Sequence, residues 1–144
     1  MFNLRVYGII INDQQEVLIS DEMKFGKAMT KFPGGGLDWG EGSKDALKRE
    51  ILEEIGLDSE IGELFYVNDF FQESAFRKTE QLFSFYYFVS YIDFERISTA
   101  KYERPLTEEG EKFRWVPLIE ISEELFTFPI DKIVATKLKS LQTK

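Results

Sequence analysis

A glycine-rich segment that leads directly into an amphipathic helix is the feature that most constrains the fold of this chain. From Gly34 the sequence reads GGGLDWGEGSKDALKREILEEIGL. The glycines interrupt regular structure, so we expect a loop through Gly42. A helix should begin at Ser43, whose hydroxyl suits an N-cap, and continue to about Ile55. Gly56 is typical of the residue at which a helix ends.

The predicted helix has two faces of opposite character. At about 100° per residue, four apolar side chains form one broad arc. They are Leu47, Ile51, Leu52 and Ile55. On the other side, Glu50, Glu53 and Glu54 converge at i, i+3 and i+4. Like charges at this spacing repel, so either water screens an idle acidic surface or a cation binds there.

The chain has 144 residues and contains neither cysteine nor histidine. The length predicts one domain, residues 1–144, with a substantial core. The two absences exclude disulfides, thiol nucleophiles, Ser-His triads and the usual zinc ligands. Acid–base or metal chemistry must therefore use carboxylates, lysine or tyrosine, and carboxylate oxygens suit Mg²⁺, Mn²⁺ or Ca²⁺.

The net charge of −8 argues against general nucleic-acid binding, which relies on lysine and arginine meeting phosphates. No apolar run is long enough to cross a bilayer. Arg5 lies within the apolar N-terminal segment, which is typical of a strand and not of an export signal. We therefore expect a cytoplasmic protein without membrane association. The sequence does not determine the oligomeric state, and a homodimer is one of the alternatives.

The remaining sequence alternates between strand-like and helix-like patterns. We predict strands over residues 4–12, 16–20, 61–71, 80–92 and 113–118. The first two should form a hairpin, residues 21–31 a polar loop, and residues 119–125 a helical turn. A helix should cover 130–142. Two helices flanking a mixed sheet give an α/β/α layered domain, and apolar residues on both faces of 80–92 favour a central strand.

The glycine and glutamate positions follow a fixed spacing. Gly35 is followed by five residues, Glu41, seven residues, and then the run from Arg49 to Leu57, REILEEIGL. This resembles the signature of the Nudix hydrolase family, G-x5-E-x7-R-E-U-x-E-E-x-G-U with U aliphatic, and every fixed position agrees. The resemblance implies the Nudix fold, an α/β/α sandwich with a mixed central β-sheet flanked by helices.

The residues themselves support a metal site at this signature. A divalent cation would replace the repulsion among the three glutamates with attraction, and Mg²⁺ keeps coordination positions open for phosphate oxygens. Glycines let the backbone approach closely, because they lack a Cβ. Arg49 lies about 100° around the helix from Glu50, from where it could hold Glu41 through a bidentate pair.

The resemblance also implies roles in the hydrolysis of a phosphoanhydride bond with Mg²⁺, for which Mn²⁺ can substitute. Glu53 and Glu54 would be the principal metal ligands, and Glu50 a ligand, the general base or both. The carbonyl of Gly35 or of its neighbour Gly34 would add a ligand. Some family members place the base in a distant loop. Here that loop is residues 106–115, in which we favour Glu109, also as a ligand, with Glu108 or Glu111 as substitutes.

The substrate is less constrained by the sequence. Arg5, Lys31 and Arg77 are candidate substrate-binding residues, although solvated charges are the default reading. Residues 69–78 carry neither the proline of some ADP-ribose-cleaving members nor the tyrosine of some dinucleoside-polyphosphate-cleaving members. We therefore expect a small nucleotide substrate, a nucleoside di- or triphosphate or a nucleotide sugar.

Two other classes compete with this enzyme hypothesis. The first is a non-catalytic Nudix-fold domain that binds a nucleotide as a sensor or scaffold. Such domains typically lose signature glutamates, whereas this chain keeps them all. The second is an acidic calcium-binding protein, which the absence of a D-x-[DN]-x-[DN]-G loop disfavours.

Overall fold

The computed structural model describes residues 1–142, which form seven strands and two α-helices. The elements are β1 (Phe2–Ile9), β2 (Glu16–Lys24), β3 (Lys27–Lys31), β4 (Gly34–Gly36), α1 (Ser43–Ile55), β5 (Glu60–Val67), β6 (Gln81–Tyr91), β7 (Gly110–Pro117) and α2 (Pro129–Leu141). Short 3₁₀ turns cover Phe94–Arg96, Leu118–Glu120 and Glu123–Leu125. The last two confirm the helical turn predicted for residues 119–125.

The chain forms two compact units, each with its own β-sheet. Unit 1 consists of residues 1–10 and 33–97, and unit 2 consists of residues 11–32 and the chain from Ser98 onward. The sheet of unit 1 is mixed, with strand order β4-β1-β6-β5. In it β1 and β6 run parallel, whereas β4 and β5 pair antiparallel with β1 and β6. The prediction that residues 80–92 form a central strand is confirmed by β6.

Helix α1 packs against one face of the mixed sheet through its apolar side. The helix contacts β1 near Gly8, where a Cβ would lie at ordinary contact distances of 3.6 and 3.7 Å from the Cδ1 atoms of Ile51 and Leu47. Both side chains are fully buried, but Leu52 is 52% exposed. The predicted apolar arc was therefore too wide, because Leu52 lies at its edge and the sheet covers only the centre.

Both ends of α1 were predicted, one of them with the wrong cap. Gly56 ends the helix in the left-handed region at φ 82°, and its N–H donates to the carbonyl of Leu52 at 3.0 Å. At the other end, Gly42 occupies the N-cap position and no side chain caps the helix. The Ser43 hydroxyl instead shares a 2.5 Å hydrogen bond with the hydroxyl of Tyr87 on β6. The Ser43 hydroxyl thus binds a residue that is distant in sequence instead of capping the helix.

The sheet of unit 2 is antiparallel, with strand order β3-β2-β7. It corrects two predictions. Residues 21–31 are not a polar loop, because β2 continues to Lys24 and turns back into β3 at Lys27. Residues 4–12 and 16–20 do not form a full hairpin, since β1 and β2 belong to different sheets. The two segments pair only next to the turn, where Ile11 forms a bridge with Val17 and Asn12 forms hydrogen bonds with Glu16.

Helix α2 belongs to unit 2 and confirms the predicted C-terminal helix. Its buried face includes Ile130, Val134 and Leu138. Just before it, Phe126 stacks on Phe32 with ring centroids 4.5 Å apart. Neither helix of residues 1–142 has the length and apolar character needed to cross a bilayer.

The burial pattern of α1 gives a paired prediction on stability. Ile51→Ala should lower the free energy of unfolding by about 2–5 kcal/mol, because it opens a cavity where the side chain is 1% exposed. Leu52→Ala, its neighbour on the same helix, should change it by no more than about 0.5 kcal/mol. Urea unfolding followed by circular dichroism measures both. Equal losses for the two variants would contradict the packing described for α1.

Candidate active site

The first three residues of the glycine-rich segment form an edge strand, and only residues 37–42 form the loop that we expected. Residues 34–36 pair with β1, with Gly34 opposite Tyr7, Gly35 opposite Val6 and Gly36 opposite Arg5. A Cβ on Gly34 would overlap the Val6 carbonyl oxygen and lie 2.7 Å from the Tyr7 Cα, and its φ of 154° disfavours other residues. Glycine is therefore required for β4 to lie this close to β1.

Gly35 provides the space for a glutamate of α1. A Cβ on Gly35 would overlap the carboxylate of Glu50, with the carbon atom at 2.5 Å and Oε1 at 2.6 Å. The Glu50 carboxylate thus lies directly against the backbone of β4, and its side chain is only 14% exposed. The signature glycine and the signature glutamate form a single cradle, in which oxygen atoms face the backbone of the strand.

Arg49 joins α1 to the segment between β4 and the helix. Its Nε and one terminal nitrogen donate to the two carboxylate oxygens of Glu41 at 2.5 and 2.8 Å. The same terminal nitrogen donates to the Gly36 carbonyl at 3.0 Å. The pair expected from the sequence is present in bidentate form. The hydrogen bond from Arg49, and next that from the backbone N–H of Asp38, lower the pKa of Glu41 to about 2.

The other terminal nitrogen of Arg49 contacts the acidic face of α1. It donates to Glu50 at 3.1 Å and to Glu53 at 3.2 Å. Asp38 is a further acidic partner, 3.4 Å from the terminal nitrogen that binds Glu41. Sequence reasoning missed it, although it stands three residues before Glu41. The hydrogen bonds with Glu41 and then with Glu50 raise the pKa of Arg49 above its usual value. One permanent cation is thus shared by four carboxylates.

Arg5 supplies a second positive charge on the strand beside β4. Its Nε donates to the Tyr7 hydroxyl at 3.2 Å. Interaction with Tyr7 raises its pKa, and the negative charges of Glu50 and Glu54 raise it further. The structure therefore brings Arg5, predicted as a substrate contact, into the electrostatic field of the acidic face. Tyr7 lies beside Arg5, and its hydroxyl accepts the hydrogen bond that orients the guanidinium.

Unit 2 holds two other predicted residues, each with partners there. Lys31 is buried and ion-paired with Glu111 at 3.2 Å and Glu22 at 3.6 Å. Glu111 also accepts a short hydrogen bond from the Ser20 hydroxyl. Glu109 accepts a hydrogen bond of 3.4 Å from the Gly26 N–H at the β2–β3 turn. The Glu111 carboxylate is thus held by Lys31 and Ser20, whereas the Glu109 side chain is exposed.

Arg77 belongs to unit 1, in the segment between β5 and β6. Its side chain is 73% exposed and forms an ion pair of 3.6 Å with Glu80, three residues along the chain. An exposed local pair of this kind contributes little to stability. The structure thus groups Gly35, Glu41, Arg49, Glu50 and Glu53 around one centre, and it gives Arg77 a local partner instead.

The cluster fits a hard divalent cation in its chemistry. Across residues 1–142, no three acidic side chains already stand in an arrangement that would enclose a metal ion. The Arg49 guanidinium bridges Glu50 and Glu53 instead. The available ligand atoms are carboxylate oxygens beside a strand without side chains, and the Glu50 carboxylate occupies the space that a Cβ on Gly35 would need. Such oxygen ligands suit Mg²⁺ or Mn²⁺.

Sequence relatives with curated names include pyrophosphate-cleaving enzymes. The chain is 32% identical over 112 residues to the 8-oxo-dGTP diphosphatase of Haemophilus influenzae, covering 76% of this chain and 71% of that enzyme. It is 48% identical over 54 residues to the RNA pyrophosphohydrolase of Ruthia magnifica, covering 37% of this chain. That shorter segment spans only 29% of the relative's own length.

Solved structures show the same fold, and a family model covers nearly the whole chain. The solution structure of the Escherichia coli ORF135 protein has a TM-score of 0.72 at 19% identity, covering 98% of this chain and 91% of that one. A MutT structure from work on Aliivibrio salmonicida and Vibrio cholerae has a TM-score of 0.70 at 25% identity, covering 98% and 99%. The NUDIX domain model matches residues 1–137. The α/β fold class expected from the sequence is confirmed, and the chain belongs to the Nudix family.

Proposed function

We propose that this chain is a Mg²⁺-dependent Nudix pyrophosphohydrolase that cleaves a phosphoanhydride bond in a small nucleotide. The substrate class is a nucleoside diphosphate linked to another group, such as a nucleoside triphosphate or a nucleotide sugar. The observation that carries the proposal is the Arg49 fork, which fixes the Glu41 segment to α1 while Glu50 lies against the side-chain-free backbone of Gly35. The proposal includes a single Nudix domain working in the cytoplasm.

Four groups of this site would hold the metal. They are the carboxylates of Glu50, Glu53 and Glu54 and the carbonyl of Gly35. Nudix enzymes generally depend on divalent metals, and a bound ion would neutralise the diphosphate and make water more acidic. One terminal nitrogen of Arg49 bridges Glu50 and Glu53, so it can release them to a metal while the Nε and the other terminal nitrogen still bind Glu41 and the Gly36 carbonyl. Arg49 and Glu41 then act as positioning residues that orient the ligand carboxylates.

The proton of the attacking water needs a carboxylate acceptor. The water oxygen forms a bond to phosphorus, the bridging P–O bond breaks, and the leaving phosphate keeps the bridging oxygen. Glu50 is one candidate for the base, because its carboxylate is held at the strand backbone. Glu109 is the other, with Glu108 as its substitute, and its carboxylate accepts a hydrogen bond of 3.4 Å from the Gly26 N–H. Glu111 is less suited, since Lys31 and Ser20 hold its carboxylate.

The comparisons favour a nucleoside triphosphate among the candidate substrates. The relative that aligns over three quarters of this chain is named an 8-oxo-dGTP diphosphatase. The RNA pyrophosphohydrolases align over a shorter segment, and a net charge of −8 opposes binding of a polyanionic RNA. Unit 1 contains two of the three predicted substrate contacts, Arg5 and Arg77. Arg5 is the better placed of the two, because its charge interacts with those of Glu50 and Glu54, and it could pair with a phosphate oxygen.

A nucleotide-binding sensor is the alternative. It requires the same fold and the same phosphate contacts but no turnover. The complete acidic set and the intact Arg49–Glu41 pair favour the enzyme, because a sensor has no need of a positioned base.

A substrate screen with one variant tests the enzyme proposal. Wild-type protein with Mg²⁺ should hydrolyse a nucleoside triphosphate, including 8-oxo-dGTP in the panel, or a nucleotide sugar, with phosphate and nucleotide products identified by chromatography. Glu53→Gln should lower kcat by at least about 100-fold, since it removes a proposed metal ligand. It should shift the free energy of unfolding by less than about 1 kcal/mol, because Glu53 is 58% exposed.

The matched control is Glu63→Gln, an exposed glutamate on β5, which should keep full activity. A Glu53→Gln variant as active as this control would refute the metal assignment. An inactive wild-type protein that still binds nucleotides would favour the sensor, and preference for 5′-triphosphorylated RNA would overturn the small-nucleotide assignment.

Metal binding should be visible without any substrate. Addition of about 10 mM MgCl₂ should raise the melting temperature of the wild-type protein, because the ion binds the folded state and relieves repulsion among the carboxylates. The increase should shrink in Glu53→Gln and persist in Glu63→Gln. Differential scanning fluorimetry at constant ionic strength measures the shift, and identical shifts in both variants would count against this site.

The Arg49–Glu41 pair predicts a stability difference that depends on pH. The folded-state pKa of Glu41 is about 2, against 4.5 for an unperturbed side chain. A depressed pKa stabilises the folded state fully above about pH 4.5, and the contribution is lost as the pH falls toward 2. The difference in unfolding free energy between wild type and Glu41→Gln should therefore be constant near pH 6 and shrink below pH 4.5. A difference independent of pH in urea titrations would refute the pairing.

A further inference from the structure

Unit 2 contains a cavity that the proposed hydrolysis leaves without a role. Its volume is about 280 Å³. Residues of β2 and β3, the segment 104–106, Arg114 of β7 and Thr127 line it. The volume is close to the lower end of the range for small-ligand sites, about 300–1,000 Å³. The cavity is thus large enough for a compact ligand.

A buried carboxylate organises one wall of this cavity. Asp21 is 4% exposed and accepts hydrogen bonds from three residues on different segments. The donors are the Thr30 hydroxyl at 2.7 Å, the Tyr102 hydroxyl at 2.6 Å and the Arg114 Nε at 2.7 Å. Burial, and then the hydrogen bond to Asp21, raise the pKa of Tyr102, so its hydroxyl remains a donor. Asp21 is therefore occupied by the protein's own donors, and it holds Arg114 in place.

Arg114 has donors beyond those that Asp21 uses. A guanidinium carries five N–H donors, and Asp21 engages the Nε and, at 3.5 Å, one terminal nitrogen. The Arg114 side chain lines the cavity and is 19% exposed, so its remaining N–H donors are available to a ligand there. Because this guanidinium is held from behind by a buried partner, little conformational entropy is lost when it binds an oxyanion.

Two more cations lie near Tyr102, which shares the Asp21 carboxylate with Arg114. Arg104 lines the cavity on the segment before β7. Lys112 is opposite Asp21 in the β2–β7 register, and its ammonium lies 5.7 Å from the Tyr102 ring centroid. The other acidic lining residue, Glu22, is ion-paired with Lys31 at 3.6 Å. The buried carboxylate of Asp21 thus has Arg114 as its ion-pair partner, with Arg104 and Lys112 near Tyr102, in a chain whose net charge is −8.

We propose that this cavity is a binding site for the phosphate group of a small phosphorylated compound. Arg104 and Arg114 can only donate hydrogen bonds. They therefore favour an anion whose oxygens only accept them. Arginine pairs bidentately with phosphate, and a dianion gains from several nearby cations at once. Ala28, Met29, Pro105 and Leu106 provide apolar lining for a body of a few carbon atoms. The site needs no metal, in contrast to the Glu50–Glu54 cluster.

The test is a titration of the full chain with inorganic phosphate in the presence of EDTA, at ionic strength held constant with chloride. Phosphate should raise the melting temperature in a saturable way, by about 2–5 °C. Arg104→Gln should weaken the phosphate affinity measured by ³¹P NMR about 10-fold, since it removes a charge-assisted contact. Ala28→Phe, which fills the cavity from an exposed position on β3, should abolish the saturable response.

Two matched variants make the result specific. Arg96→Gln makes the same substitution on an exposed residue of unit 1 and should leave phosphate affinity unchanged. Glu53→Gln should also leave it unchanged, so failure here is distinguishable from failure of the proposed hydrolase. The proposal is overturned by the absence of a saturable response, by an equal response to acetate, or by a response that Glu53→Gln removes and Arg104→Gln does not.

Discussion

The candidate active site depends on one guanidinium. Arg49 donates to Glu41 with two nitrogens, to the Gly36 carbonyl with one of them, and to Glu50 and Glu53 with the third. These bonds connect the edge strand, the segment that follows it and the helix. A lysine could not replace this planar fork, because an ammonium cannot satisfy the same set of oxygens from one position.

The same physical device recurs in unit 2 with a different partner set. There Arg114 is held by the buried carboxylate of Asp21, which also binds Thr30 and Tyr102. In unit 1 the arginine is enclosed by acidic groups, so the surroundings favour a cation. In unit 2 the carboxylate is enclosed by donors and cations, so the surroundings favour an anion. The two proposed ligands, a divalent metal and a phosphate group, follow from this reversal of sign.

Local sequence patterns predicted the elements whose stabilising contacts are close in sequence. Helix α1, its glycine stop and helix α2 follow from periodicity and capping rules. The failures occurred where distant segments compete with local preference. Residues 21–31 look polar enough for a loop, but pairing with β7 and within β2–β3 makes them strands. Ser43 is a favourable N-cap, yet its hydroxyl binds Tyr87, forty-four residues away.

By itself the sequence determined the family and the acidic face of α1. It also determined the need for glycine beside that face and the pairing of Arg49 with Glu41. All of these features lie within residues 34–57 at fixed spacing. Only the tertiary structure decided which strands share a sheet, that Arg5 joins the acidic face, and that Asp21 gathers Thr30, Tyr102 and Arg114 around a cavity. Those contacts join residues up to ninety-three positions apart. No periodicity encodes such pairings, since they arise from packing of whole sheets.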